Sequence, residues 1–216
     1  MKVQHNNVLA DLDFLILAGG LGTRLGLEIP KALVPIGPNG QPLLSVQLYR
    51  LKKFGVKRVI LALSHKADEI DDALDCEQFV PDGLEVVCSI EPKPSGTAGA
   101  LRYADHLIRS SVFVMNADTL VDIDPTEFVN IHNVAAVVAA AIASVLYTQR
   151  DIISTGMCIF SRAMLDKICM IGGSSLENDI LPNTVWNKVV RDCEFLDIGT
   201  PERLALAPTF LKEMKT

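Results

Sequence analysis

A short apolar run, Phe14 to Leu17, stops abruptly at three closely spaced glycines, Gly19, Gly20 and Gly22. A strand with no polar face is covered on both sides, as in a parallel sheet flanked by helices. The glycines let backbone N–H groups approach a ligand and point the same way, which suits phosphate oxygens. Arg24 adds a forked cation that matches phosphate geometry, and Lys31 adds a mobile point charge. Ile29-Pro30 and Val34-Pro35 hold the backbone extended around Lys31. Two commoner phosphate loops are excluded. No Gly-Lys-Ser/Thr closes the loop, and Leu25 stands where G-x-G-x-x-G needs its last glycine.

The same alternation continues along the chain. Strands are expected at Arg58–Leu63, Leu84–Ile90, Val112–Met115 and Gly156–Phe160, with another over Val189–Leu196 ending at Asp197. Ala135 to Val145 also reads as a strand, because Val137, Val138, Ile142 and Val145 are interleaved. Helices are expected from Pro42 to Gly55, over Ala67–Leu74, from Gly96 to about Arg109, and from Pro125, Arg162 and Pro201. Leu176 to Trp186 reads as a helix broken near Pro182, and residues 1–13 as a loose lead-in. The predicted fold class is α/β, a doubly wound, mostly parallel sheet in three α/β/α layers, with residues 1–216 as one domain. Ligands on such sheets bind at the carboxyl ends of strands. The glycine loop, Asp118 and Asp197 all fall there.

With 49% hydrophobic residues, the chain is long and apolar enough for a substantial core. A net charge of −6 argues against nucleic-acid binding. Five scattered cysteines without a C-x-x-C pair read as buried thiols of a reducing, cytoplasmic protein. The N-terminal MKVQHNN lacks a signal-peptide core, and the most apolar run, Val134 to Leu146, is too short to span a bilayer, so no membrane association is expected.

Asp118 and Asp197, each at a strand end near a phosphate loop, make a candidate Mg²⁺ site, since that ion takes one or two carboxylates plus substrate phosphates and water. Either could instead cap its turn. His65, His106 and His132 lack a partner at ligand spacing and read as surface or partly buried residues. No nucleophile elbow or Ser-His-Asp order appears, so a covalent mechanism has no support.

The run Gly-Gly-x-Gly-Thr-Arg-Leu followed by Pro-Lys resembles the signature of the sugar-1-phosphate nucleotidyltransferases. Further motifs follow in family order from Phe14 to Leu206. NADT and LDIGTPERL resemble the two metal-binding segments. EPKPSGTAGAL resembles the segment around the nucleobase, and STGMCIF and SLENDILP resemble the sugar-binding segments. The nearest likeness is to the small guanylyltransferases acting on mannose- or heptose-1-phosphate. The resemblance implies a Rossmann-like nucleotidyltransferase fold and the reaction NTP plus sugar 1-phosphate to NDP-sugar plus pyrophosphate, in a possible homo-oligomer. It implies Arg24, Lys31 and Asp118 as catalytic residues. Leu17, Ala18, Gly19, Gly20, Gly22, Thr23, Arg24, Lys31, Glu91, Gly96, Thr97 and Ala98 would bind nucleotide. Asn116, Gly156, Glu177 and Asn178 would bind the sugar, and Asp118 and Asp197 the Mg²⁺. Glu177 could equally be a first-turn acid favoured by the helix dipole. Glu91 is either a reader of guanine, whose N1–H and N2 amino group one carboxylate accepts together, or a solvated loop residue. One departure stands out. Only LYTQRDII occupies the place where the family usually has a hairpin with Arg-Tyr-Gly and Glu-Lys-Pro runs. That leaves open a uridylyl- or thymidylyltransferase, or a nucleotide-binding regulatory module with reduced turnover. A cytidylyl- or molybdopterin-type transferase fits the LDIGTPERL end less well. The chain ends soon after the catalytic motifs, so no β-helix domain or fused acetyltransferase is expected.

Overall fold

A computed structural model describes residues 8–20, 22, 25–138, 142–149 and 153–214. Its strands are β1 (Asp13–Leu17), β2 (Arg58–Leu63), β3 (Glu85–Ile90), β4 (Val112–Asn116), β5 (Thr119–Val121), β6 (Ala143–Thr148), β7 (Ser154–Phe160), β8 (Trp186–Arg191) and β9 (Phe195–Asp197). Its helices are α1 (Leu43–Lys53), α2 (Ala67–Leu74), α3 (Gly96–Ala104), α4 (Pro125–Val138), α5 (Arg162–Met170) and α6 (Pro201–Glu213). Seven strands form the main sheet in the order β3-β2-β1-β4-β7-β6-β8. β1 pairs in parallel with both β2 and β4, while β7 runs antiparallel to β4 and β6. The strand order therefore reverses at β1 and β4, and the crevice at their carboxyl ends is where such a sheet takes a ligand.

Alternation along β1 accounts for the layers. Phe14 and Ile16 face a core shared with α1, α2 and α4. Leu15 faces the opposite core, shared with α3 and α5. Each face of the sheet therefore buries an apolar row, worth roughly 1.5–3 kcal/mol per large side chain. A smaller cluster seats α6 on β5 and β9 through Ala207, Leu120 and Leu196.

Several expectations need correction. Residues 1–13 are not all lead-in, since Leu9 and Leu12 are core residues and Asp13 begins β1. The expected strand Ala135–Val145 is split. Ala135 to Val138 continue α4, whose buried face carries Phe128, Val129 and His132 at helical spacing, Ala143 onward is extended, and residues 139–141 lie outside the described residues. The expected helix over Leu176 to Trp186 is a single π turn, Leu176–Ile180, then a short turn, Leu181–Asn183, and Trp186 opens β8. The expected strand Val189–Leu196 is two strands in different sheets, β8 and β9, separated at 192–194. The cysteines are all free, but only Cys158 and Cys193 are buried, and burial pushes their thiols up to about 12 and about 11. His132 is buried, beyond the surface or partly buried position expected for it.

Candidate functional site

Two adjoining cavities open at the carboxyl ends of β1 and β4 and share Leu17, Gly20 and Asp118. The first encloses about 280 Å³ and is also lined by Ala18, Gly22, Lys31 and Gly199. The second encloses about 330 Å³, with Gly19, Glu91, Gly96, Thr97 and Asn116 in its wall. Thr23 and Arg24 lie outside the described residues.

Each wall follows from local sequence. Ala18 extends the β1 ladder by donating its N–H to Ala62 O at 2.9 Å, and the chain then departs at the glycines. A side chain at Gly19 would press on Ser64 at 3.0 Å, so the loop lies against the end of β2. Gly22 turns with φ +60°, a left-handed conformation that costs other residues about 1–2 kcal/mol. Pro30 leads into a short 3₁₀ turn, Lys31–Leu33, and Lys31 lies beside Gly22 in the wall of the first cavity.

Lys31 Nζ lies 2.7 Å from Asp118 Oδ2, with the two side chains 14% and 32% exposed. A cation and an anion thus meet at the junction of the two cavities. Asp197 is next to Asp118 through backbone, because Ile198 N–H donates to Asp118 O at 2.8 Å. Its carboxylate lines neither cavity; it pairs with Arg203 at 3.2 Å and leans on Gly199, which does line the first.

In the second cavity Glu91 is buried and accepts a hydrogen bond from the Ser95 hydroxyl. Gly99 makes that contact possible, since any side chain there would overlap Ser95. Gly96 opens α3 with φ +78°, packed on the Ser174 carbonyl. Ala98 is fully buried and gives its N–H to Ser174 O at 2.8 Å, so Ala100 rather than Ala98 reaches the cavity wall. Thr97 accepts the Leu176 N–H at 2.9 Å, tying this segment to the turn that bears Glu177 and Asn178. Those two are exposed and line neither cavity; Ser154 Oγ donates to Glu177 at 3.3 Å. Gly156 sits where the β6–β7 register slips, with φ +75°, directly against the Asn116 amide. Bulges of this kind re-aim strand ends beside functional sites.

Sequence reasoning missed Ser95 and Gly199, and also Gln47, whose buried amide donates to the carbonyls of Ala117 and Thr119 on either side of Asp118. Gln47 carried a signal, a polar residue in the apolar stripe of α1 next to Leu48.

Comparisons agree with this architecture. The chain is 41% identical over 113 residues to D-glycero-alpha-D-manno-heptose 1-phosphate guanylyltransferase of Campylobacter jejuni, covering 51% of this chain and 49% of that protein. It is 32% identical to mannose-1-phosphate guanylyltransferase catalytic subunit beta of Xenopus tropicalis, over 87% of this chain and 61% of that one. The chain thus spans about half to three-fifths of the curated relatives it matches. Among solved structures, HddC from Yersinia pseudotuberculosis complexed with GMP-PN superposes with a TM-score of 0.77 at 30% identity, covering 93% of this chain and 99% of that one. A putative glucose-1-phosphate thymidylyltransferase from Bacillus anthracis, 18% identical over 95% of this chain and 97% of that one, shares the fold at a TM-score of 0.74. The family model described as nucleotidyl transferase matches residues 14–151, well over half the length, and the chain belongs to that family.

Proposed function

We propose that residues 1–216 act as one catalytic domain that transfers a nucleotidyl group from an NTP, GTP by preference, to a mannose- or heptose-type sugar 1-phosphate. The observation that carries this reading is the Lys31–Asp118 pair at the junction of a glycine-walled cavity and a second cavity containing Glu91, Gly96 and Thr97. The sugar phosphate oxygen attacks the α-phosphorus in line, the bond to the β-phosphate bridging oxygen breaks, and pyrophosphate leaves. No protein nucleophile is needed, so the protein contributes position and charge. The glycine-loop amides and Arg24 would hold the leaving phosphates. Lys31 would neutralise charge gathering on the α-phosphate. Asn116, Gly156, Glu177 and Asn178 would orient the sugar.

The carboxylates fit a hard divalent cation. The Asp118 carbonyl accepts the N–H of Ile198, the neighbour of Asp197, and the two carboxylates are 32% and 34% exposed. Mg²⁺ takes one or two carboxylates and completes its shell with substrate phosphates and water. When bound, Mg²⁺ would supply charge to the reacting phosphates.

The base preference rests on Glu91. An ionised carboxylate only accepts hydrogen bonds, so guanine, with two adjacent donors, suits it and uracil, with one donor between two carbonyls, does not. The HddC complex with GMP-PN supports a guanine nucleotide here. Pyrophosphate release across a panel of NTPs and sugar 1-phosphates, with products read by mass spectrometry, tests the proposal. Release with no pair would remove it.

A further inference from the structure

Asp118 is held from several directions by other elements. Ala117 N–H donates to Leu17 O at 3.1 Å, and the Asp118 carbonyl accepts from Ile198. The carbonyls on either side of Asp118, those of Ala117 and Thr119, both accept from the Gln47 carboxamide, at 2.9 and 3.1 Å. Gln47 projects from the buried face of α1 and is 1% exposed. Its Nε2 also approaches Asn116 O at 3.5 Å, while its Oε1 accepts nothing among the described residues. Burying an amide costs free energy unless its groups are paired. Here one end is left unpaired, so the side chain is placed for its donor end. One turn along α1, Arg50 Nη2 donates to Val121 O at 2.9 Å, so a single helix face grips the backbone on both sides of Asp118.

We infer that Gln47 is the positioning residue for Asp118. Its amide fixes the peptide groups flanking Asp118 and thereby sets where the carboxylate points relative to Lys31 and Gly199. The inference rests on the proposed function, in which Asp118 holds a divalent cation. A plain tie between α1 and the sheet would show up in stability alone. A positioning role shows up in metal affinity, which falls about 10- to 100-fold when the group that orients a ligand is lost.

Gln47→Met keeps the length and volume and removes both donors. Ser45→Ala is the control, because Ser45 is equally buried on the same helix, donates to Phe79 O at 2.8 Å and makes no bond to residues 116–119. Mn²⁺ binding to the full chain is read from the EPR signal of the free ion, with Tm measured in parallel. Wild type and Ser45→Ala should bind Mn²⁺ equally, Asp118→Asn should lose binding, and Gln47→Met should bind about tenfold more weakly. Half-saturating Mg²⁺ in pyrophosphate release should rise by the same factor. If Gln47→Met does not fold, Gln47→Glu keeps the volume, turns an acceptor toward the two carbonyls, and should show the same loss. An Mn²⁺ affinity within about twofold of wild type in the folded variant, with Tm lowered as in Ser45→Ala, overturns the inference. If Asp118→Asn binds Mn²⁺ as wild type does, the metal assignment of the proposed function falls instead and takes the inference with it.

Discussion

Gly156→Ala acts on the contact between β7 and the end of β4. An added Cβ would overlap the Asn116 Nδ2 and lie 3.1 Å from its Cγ. The φ of +75° alone costs an L-residue about 1–2 kcal/mol. Ordinary carbon contacts begin near 3.5 Å, so the amide must retreat by about 1 Å. The Asn116 backbone cannot follow, because it is paired with Leu17 of β1. The carboxamide therefore rotates out of the cavity wall it now forms. Misplacing a substrate-positioning group by about 1 Å costs up to about 10²-fold in rate. Varying the sugar 1-phosphate at saturating GTP, kcat/KM should fall roughly ten- to hundredfold while KM for GTP holds within about twofold. The strain should lower Tm by about 2–8 °C. A lowered Tm with acceptor kcat/KM at the wild-type value would refute the reasoning, because Asn116 would then not meet the sugar.

Lys31→Ala should lower kcat by about 10²–10³ with little change in Tm, since a partly exposed side chain leaves no core cavity; turnover within about twofold of wild type removes Lys31 from the chemistry. Asp118→Asn and Asp197→Asn should each raise the Mg²⁺ concentration for half-maximal turnover, and wild-type behaviour of both at limiting Mg²⁺ defeats the metal assignment. Glu91→Gln should shift the ratio of kcat/KM for GTP over UTP toward UTP; an unchanged ratio, or a wild type that prefers UTP, sinks the guanine reading. Acid stability should carry a His132 component. Burial lowers its pKa to about 4, so the native state stays neutral while the unfolded chain protonates below about 6.5, and stability falls as pH drops between those values, by about 3 kcal/mol. Urea titrations from pH 7 to 4 should show that slope in wild type and a flatter one in His132→Leu.

Strands buried on both faces were legible because they are almost wholly apolar: β2, Arg58–Leu63, which has no polar residue after Arg58, and the helix after it, Ala67–Leu74, match their expected bounds. Misreadings came where two periods compete. Val137, Val138, Ile142 and Val145 suggest alternation, but the helix that buries Phe128, Val129 and His132 continues through Ala135 and Ala136 to Val138. The π turn at Leu176 follows from tertiary anchoring, with Leu176 and Ile180 buried against α3 and α5. In the site, the glycine loop, Lys31 and Asp118 could be read because charged and glycine residues carry their chemistry in their identity. Their pairing across 87 residues could not, and neither could the collision that makes Gly156 fit Asn116. Gln47 was the least visible. Its partners are backbone carbonyls, which look alike at every position, so a glutamine beside Leu48 reads as a tolerated polar residue until the fold brings Ala117 and Thr119 against it. The groups proposed to do the chemistry are thus marked by residue type, while the one inferred to aim them is marked only by which backbone it touches.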